Sequence, residues 1–274
     1  MAALLFGAAT PFASRLADSS GAAALAGLLY IGAAIGVAPR IRAEFDLHAA
    51  RREAVRLAIS VFVGGFAAPL LLVAGLARSD APTASLLLNL ELVATVLLAG
   101  LVFREHIGRR VMVGVAAVVT ASIMLVWSAT PELRAGALLV AAACLCWGID
   151  NCVTANIVDV KAEVVTFAKG TIAGSTNLLI AFATHASFPS GRGTLGALAI
   201  GVAGYGVSIT LWIRGAREVG AARGQLVFAA APFAGAVIAW TVFSDPITPH
   251  HVLALLVAAA GILAVVNSGH EHRH

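Results

Sequence analysis

APTASLLLNLELVATVLLAGLVFREHIGRRVMVGVAAVVTASIMLVW, residues 81–127, consists of two apolar blocks joined by the short basic turn at 104–110. Each block is about 20 residues long, the length a helix needs to cross the hydrocarbon layer at 1.5 Å per residue. Neither block alternates with period two, as the strands of a lipid-embedded barrel would. A helix satisfies its own backbone in lipid, so closed helices are the expectation. The rest of the chain repeats the pattern. Of its 274 residues 60% are apolar and 12% charged, against about a quarter charged in a soluble domain. So few charges cannot cover a water-soluble globule of this size. The fold class expected is therefore an all-α integral membrane protein.

Ten transmembrane helices are expected, over 2–17, 20–38, 56–77, 81–103, 111–129, 135–156, 164–185, 194–213, 221–243 and 250–267. The first is short, which suits local thinning or tilt, or a start upstream of Met1. Met1 leads into apolar sequence without a basic n-region, so the first span is expected to be retained. The longest polar stretch, Pro39 to Arg56, is a candidate amphipathic surface helix. Lys and Arg in short loops set orientation. With Lys169 set aside, Arg40, Arg42, Arg51, Arg52, Arg56, Arg104, Arg109, Arg110, Lys161, Arg214, Arg217, Arg223 and Arg273 lie on one side. Arg15, Arg78, Arg134 and Arg192 lie on the other. The first side is expected to be cytoplasmic, with both termini. The net charge of +4 reads as topology, and no nucleic-acid partner is expected. Cys144, Cys146 and Cys152 share one apolar block, which suits reduced core residues and not a disulfide framework.

Sliding the chain by 140 residues lays 81–127 on 221–267 without a gap. Ala81, Leu86, Ala94, Ala99, Val102, Phe103 and Ile107 then meet identical residues. A Val-Phe end leads in both copies to a short turn carrying an acid, Glu105 or Asp245. Phe6-Gly7 and Trp147-Gly148 correspond at offset 141. Five spans per copy is odd, so the two copies would lie inverted, as two inverted five-helix repeats over 1–130 and 131–267 with a tail at 268–274. Inverted repeats recur among transporters, with the solute site near the midplane.

Four stretches carry a resemblance: LLLNLELVATVLLAGLVFREHIGRR (86–110), CWGIDNCVTANI (146–157), FAKGTIAGSTN (167–177) and GYGVSITLWIRGAREVGAARGQLVFAAAPFAGA (204–236). In this order and spacing they resemble the EamA-like family of the drug/metabolite transporter superfamily over essentially the whole chain. The resemblance implies ten helices, cytoplasmic termini, a central cavity lined by helices 1–4 and 6–9, and helices 5 and 10 buttressing from outside. It also implies movement of amino acids, metabolites, drugs or sugars, usually outward across the bacterial inner membrane. The expected partners are a small-molecule solute and membrane lipid. No cofactor is expected, and the oligomeric state is left open.

Ionisable residues inside the membrane are costly and each needs a reason. Glu91, Asp150 and Lys169 are the clear cases, with Asn89, Asn151, Thr154, Asn156, Ser175, Thr176 and Asn177 near them in sequence. The candidate solute-binding and coupling set is Glu91, Asn89, Asp150, Asn151, Lys169 and Asn177, with Tyr205 and Trp212 from the fourth stretch. Hydrogen bonding between helices is the structural alternative for each Asn or Thr. Asp150 and Lys169 lie level on consecutive antiparallel helices, at roughly 9–11 Å from the shared loop, and are expected to pair or to share a solute. Three roles are open to Glu91: proton coupling, binding the ammonium of a solute, or a neutral hydrogen bond to Asn89 or a neighbouring helix. Gly170 and Gly174, and Gly201, Gly204 and Gly206, mark close helix approach. Pro11, Pro69 and Pro232 mark candidate kinks.

No H-E-x-x-H, G-x-S-x-G or P-loop is present, so the chain is not expected to be an enzyme. His270, His272 and His274 alternate with Glu271 and Arg273. Imidazoles of this kind can collect a divalent transition metal, which opens the alternatives of a metal-ion transporter or a metal-sensing tail. A solvated tail lacks the second shell of a specific site, so no metal ligand is assigned. A membrane-embedded protein that does not transport is the other alternative.

Overall fold

A computed structural model describes residues 1–44, 46–103, 109–127, 130–219 and 221–268. The turn carrying Glu105 and the tail His270, His272 and His274 lie outside them. All regular structure among the described residues is helical. The order is α1 (Ala2–Ala17), α2 (Ala22–Glu44), α3 (Leu47–Arg52), α4 (Ala54–Leu76), α5 (Ala81–Leu87), α6 (Leu90–Phe103), α7 (Arg109–Val126), α8 (Pro131–Ala155), α9 (Ala162–Ala183), α10 (Gly191–Glu218), α11 (Ala221–Phe228), α12 (Ala231–Thr241) and α13 (Pro249–Ser268). Six stretches are long and apolar enough to cross a membrane: 22–41, 54–76, 81–102, 131–155, 162–183 and 191–218. Ala2–Ala17, Met112–Val126, Ala231–Thr241 and Pro249–Leu263 are shorter and also apolar. The chain is a multi-pass membrane protein.

Side-chain caps start the helices where the sequence supplies acceptors. The Asp80 carboxylate accepts from the Thr83 amide at 2.9 Å, with Pro82 in the first turn of α5. Thr130 does the same for α8 ahead of Pro131, and Ser190 for α10. Each satisfies one amide that the first helical turn leaves unpaired. The expected surface helix between Pro39 and Arg56 is present only as α3. The first part of that stretch extends α2 through Pro39 to Glu44.

Two spans are interrupted. The helix ends at Leu87 and restarts at Leu90, and again ends at Phe228 and restarts at Ala231. The spans expected over 81–103 and 221–243 are each present as two helical pieces. Pro232 sits in the first turn of α12 and does not kink a helix interior. The Leu87 and Leu88 carbonyls beside the first break face the thiol of Cys144 at 3.7 and 3.9 Å.

Three spans widen locally into π-type turns, at Ser60–Ala67, Lys169–Ala173 and Gly201–Val207. In the first, the Ala68 amide reaches back five residues to the Val63 carbonyl. The same register would aim the Gly64 carbonyl at Pro69, which has no N–H. The Tyr30 hydroxyl and the Trp147 indole N–H donate to that carbonyl instead, at 2.8 and 3.1 Å. Wide turns of this kind concentrate at functional sites.

Glycines set how closely the helices approach. A Cβ on Gly7 of α1 would strike the Ala231 carbonyl at the start of α12. A Cβ on Gly148 of α8 would lie 2.7 Å from Ala94 Cβ on α6. These two glycines, 141 residues apart, thus each seat an interrupted span. α7 and α13 pack against one another, with Gly261 against Ala117 and the Gly114 carbonyl.

Candidate functional site

The interior of the bundle holds a cavity of about 40 Å³, room for a few waters. Its lining comes from α1, α2, α6, α8, α9, α10 and α11, and includes none of the described residues of α7 or α13. Phe6, Tyr30, Trp147, Trp212 and Phe228 supply its aromatic wall, and Glu91, Asp150, Asn151 and Lys169 its polar wall. Phe6 lies at the hub of the rings, 5.6 Å from Trp147, 5.6 Å from Tyr205 and 5.3 Å from Phe228 between centroids.

Lys169 and Asp150 form the expected ion pair. Lys169 Nζ donates to both carboxylate oxygens at 2.6 and 2.8 Å. The Ser60 and Thr154 hydroxyls donate to Asp150 Oδ1 at 2.6 and 2.8 Å. All four residues are buried. A buried charge pair survives only when its remaining lone pairs and protons find partners, and the two hydroxyls supply them. Gly64 makes room for the pair, because a Cβ there would overlap the Asp150 carboxylate.

Glu91 stands at the centre of a second network. Asn151 Nδ2 donates to Glu91 Oε1 at 2.8 Å and also lies 3.2 Å from both Thr95 Oγ1 and Gln225 Oε1. Trp212 Nε1 donates to the same Gln225 oxygen at 3.0 Å. Four helices, α6, α8, α10 and α11, meet through this chain of bonds. Of the two hydrogen-bond partners open to Glu91 in the structural reading, a neighbouring helix supplies the one formed, through Asn151 of α8, while Asn89 Nδ2 donates to the Leu86 carbonyl at 3.0 Å. Asn89 and Glu91 instead share a smaller cavity of about 10 Å³ with Leu88, Gln225 and Ala229, so both helix breaks border it.

Of the sequence candidates, the structure thus brings Glu91, Asp150, Asn151, Lys169 and Trp212 to one cavity. Tyr205 stands behind it, its ring edge-on to Phe6 and tilted against Tyr30. Asn177 is fully buried in α9, and neither of its side-chain polar atoms has a hydrogen-bond partner among the described residues. It lines neither cavity. Ser175 and Thr176 are exposed on the outer surface, Thr176 bonded back to Ile172. Asn156 bonds the Cys152 carbonyl at the end of α8. Sequence reasoning missed Ser60, Thr95 and Gln225 because each is a common polar residue with no charge to advertise it. Phe6 and Trp147 had a signal in the repeat alignment.

A buried, charged cavity inside a multi-pass helical bundle defines the class as a membrane transporter. The chain belongs to the EamA-like transporter family, whose model matches residues 1–127 and again residues 134–267. It is 24% identical over 237 residues to an "Uncharacterized transporter" of Methanothermobacter thermautotrophicus, covering 83% of this chain and 69% of that one. A solved crystal structure of a protein shares the fold, with a TM-score of 0.73, 19% identity and coverage of 96% of this chain and 94% of that chain.

Proposed function

We propose that the chain is a secondary transporter that exports small metabolites, amino acids or drugs across the bacterial inner membrane, and not an enzyme. It works by alternating access between two inverted five-helix halves, residues 1–130 and 131–267. The observation that carries this reading is the provenance of the cavity's charges: Glu91 comes from the first half, and Asp150 and Lys169 from the second. A site built across two halves is opened to either side by rocking one against the other. Three features support the duplication. The helix breaks at 88–89 and 229–230 lie 141 residues apart, as do the starts of the wide turns at Ser60 and Gly201. Gly7 and Gly148, at the same spacing, do the same job. The family model also matches twice, with a boundary close to residue 130.

Glu91 is the coupling group, and in this reading its carboxyl takes up and releases a proton as the cavity opens to each side. The second reading, a carboxylate that anchors the ammonium of a cationic or zwitterionic solute, is favoured by the aromatic wall, whose ring faces attract cations. Purified protein in vesicles tests both. An efflux screen over amino acids, metabolites and cationic drugs supplies the substrate. Glu91→Gln then keeps the acceptor for Asn151 and abolishes titration. Proton-driven flux collapses while solute exchange survives if Glu91 couples. Both fall together if it is an anchor. Proton-driven flux at the wild-type rate in a well-folded Glu91→Gln protein would sink both roles.

A further inference from the structure

A larger cavity, of about 620 Å³, opens on the flank of the bundle between α5–α6, α7 and α8. Leu87 and Leu90 line it beside the first helix break, Ile123 and Leu138 form its walls, and Trp127 and Arg134 stand where α7 ends and α8 begins. Trp127, Leu138 and Ile123 are 77%, 72% and 48% exposed, so the groove faces sideways into the lipid. From Arg134 to Ala141 it follows α8 for roughly 10 Å, most of one leaflet's share of a hydrocarbon core about 30 Å thick. Ser122, the hydroxyl in its wall, already donates to the Val118 carbonyl at 3.0 Å. A polar solute finds nothing to bind along these walls, whereas the upper part of a hydrocarbon chain finds an apolar bed. At the aqueous end Arg134 is exposed, and its one hydrogen bond among the described residues goes to the Trp127 carbonyl at 3.1 Å. A guanidinium has five donors in a fork that suits a phosphate. Tryptophan at that depth is the side chain that sits at headgroup level.

We infer that this groove binds an anionic phospholipid, one acyl chain lying between α7 and α8 and the phosphate held by Arg134. The bound chain reaches Leu87 and Leu90, on either side of the break whose other face, at Leu88, Asn89 and Glu91, lines the inner cavity. The bound lipid thus contacts one face of the break while the inner cavity borders the other. The binding claim does not depend on what the protein transports.

Full-length protein in phosphatidylcholine vesicles tests it, with bromine on the acyl chains of either added phosphatidylglycerol or the phosphatidylcholine itself. Quenching at Trp127 is read as the difference between the wild-type chain and Trp127→Phe. The expected result is a preference for phosphatidylglycerol of about fivefold. Arg134→Gln abolishes the preference, Arg134→Lys retains it, and Ala141→Phe, which fills the groove, lowers quenching by both lipids. Equal quenching by the two lipids in the wild-type chain would reduce the groove to ordinary boundary lipid and overturn the proposal. So would a preference that survives Arg134→Gln. Efficient cross-linking between copies through a cysteine at Leu138, with bromolipid excluded, would assign the groove to a second chain and overturn it as well.

Discussion

Lys169 Nζ sits 2.6 Å from one carboxylate oxygen of Asp150 and 2.8 Å from the other, in a pocket that leaves neither side chain more than 7% exposed. Removing one partner strands a buried charge, so Asp150→Asn or Lys169→Met alone should cost about 3–5 kcal/mol. The double variant, which leaves Ser60 and Thr154 hydrogen-bonded to a neutral amide, should lose less than either. Thermal unfolding of the detergent-purified variants measures the difference, and strictly additive losses would count against direct pairing.

Gly148 and Gly7 should be intolerant to different degrees. At Gly148 the nearest atom is a methyl, Ala94 Cβ, with the backbone atoms of Ala94 and Thr95 3.0 Å away. Gly148→Ala should therefore cost about 1–3 kcal/mol as α6 is pushed outward. At Gly7 the obstacle is the Ala231 carbonyl, which cannot rotate away, so Gly7→Ala should cost more. Gly196 of α10 has nothing within 4 Å, and Gly196→Ala should leave the unfolding midpoint unchanged or slightly raised. Equal losses at all three positions would point to glycine flexibility and not to helix contact.

Gln225 accepts from both Asn151 and Trp212 through one oxygen. Gln225→Leu leaves two buried donors without that acceptor and should destabilise by about 1–3 kcal/mol. Adding Trp212→Phe removes one of the stranded donors, so the double variant should be less damaged than the sum of the singles, with a coupling of at least about 0.5 kcal/mol. Independent, additive effects would show that the shared oxygen does not join α10 to α8.

Asp46 caps α3, its carboxylate accepting from the amides of Ala49 and His48. Those two bonds hold its pKa below the usual carboxylate range. A depressed folded-state pKa stabilises at pH values above the unfolded one and loses that stabilisation as pH falls through the folded value. Amide-exchange protection at Ala49, corrected for intrinsic rates, should thus be full at neutral pH and fade only on acidification. Asp46→Ala should remove it at every pH, and Asp46→Asn should keep it without the pH dependence. Protection that ignores Asp46→Ala would show that α3 is held by packing alone.

Orientation can be read with maleimide labelling in a background freed of Cys144, Cys146 and Cys152. Ala49 is 2% exposed and makes a poor reporter, while its neighbour His48 and the distant Ser187 are exposed. A cysteine at His48 should react only from the cytoplasm, and one at Ser187 only from the other side. The reverse pattern would invert the charge argument.

The sequence made the apolar blocks, the internal offset and the Asp150–Lys169 level legible, because length, identity and the rise of a helix need no tertiary information. The break at 88–89 was not legible, since no proline or glycine marks it; at 229–230 the cue was Pro232, which starts α12 and does not kink a helix interior. Thr176, close to Lys169 in sequence, faces outward for a geometric reason. Seven residues after Lys169, an ideal helix at about 100° per residue returns it to the same face. The wide turn at Lys169–Ala173 absorbs an extra residue and swings Thr176 out to the lipid. Asn177 takes its place on the buried stripe, two turns beyond the cavity. Gln225 was quoted within a long motif, and only the meeting of α11 with α8 and α10 gives its amide a task.

The hydroxyl of Tyr30 and the indole nitrogen of Trp147 are both committed to the Gly64 carbonyl, and that of Trp212 to Gln225. What these three rings turn towards a guest is therefore π-surface and shape, with no unspent donor to read a guest's hydroxyl or carbonyl. A ring face separates molecules differing by a single hydroxyl only weakly. On the Tyr30 and Trp147 side, that is the consequence of a proline at position 69, which leaves the Gly64 carbonyl to draw in both donors.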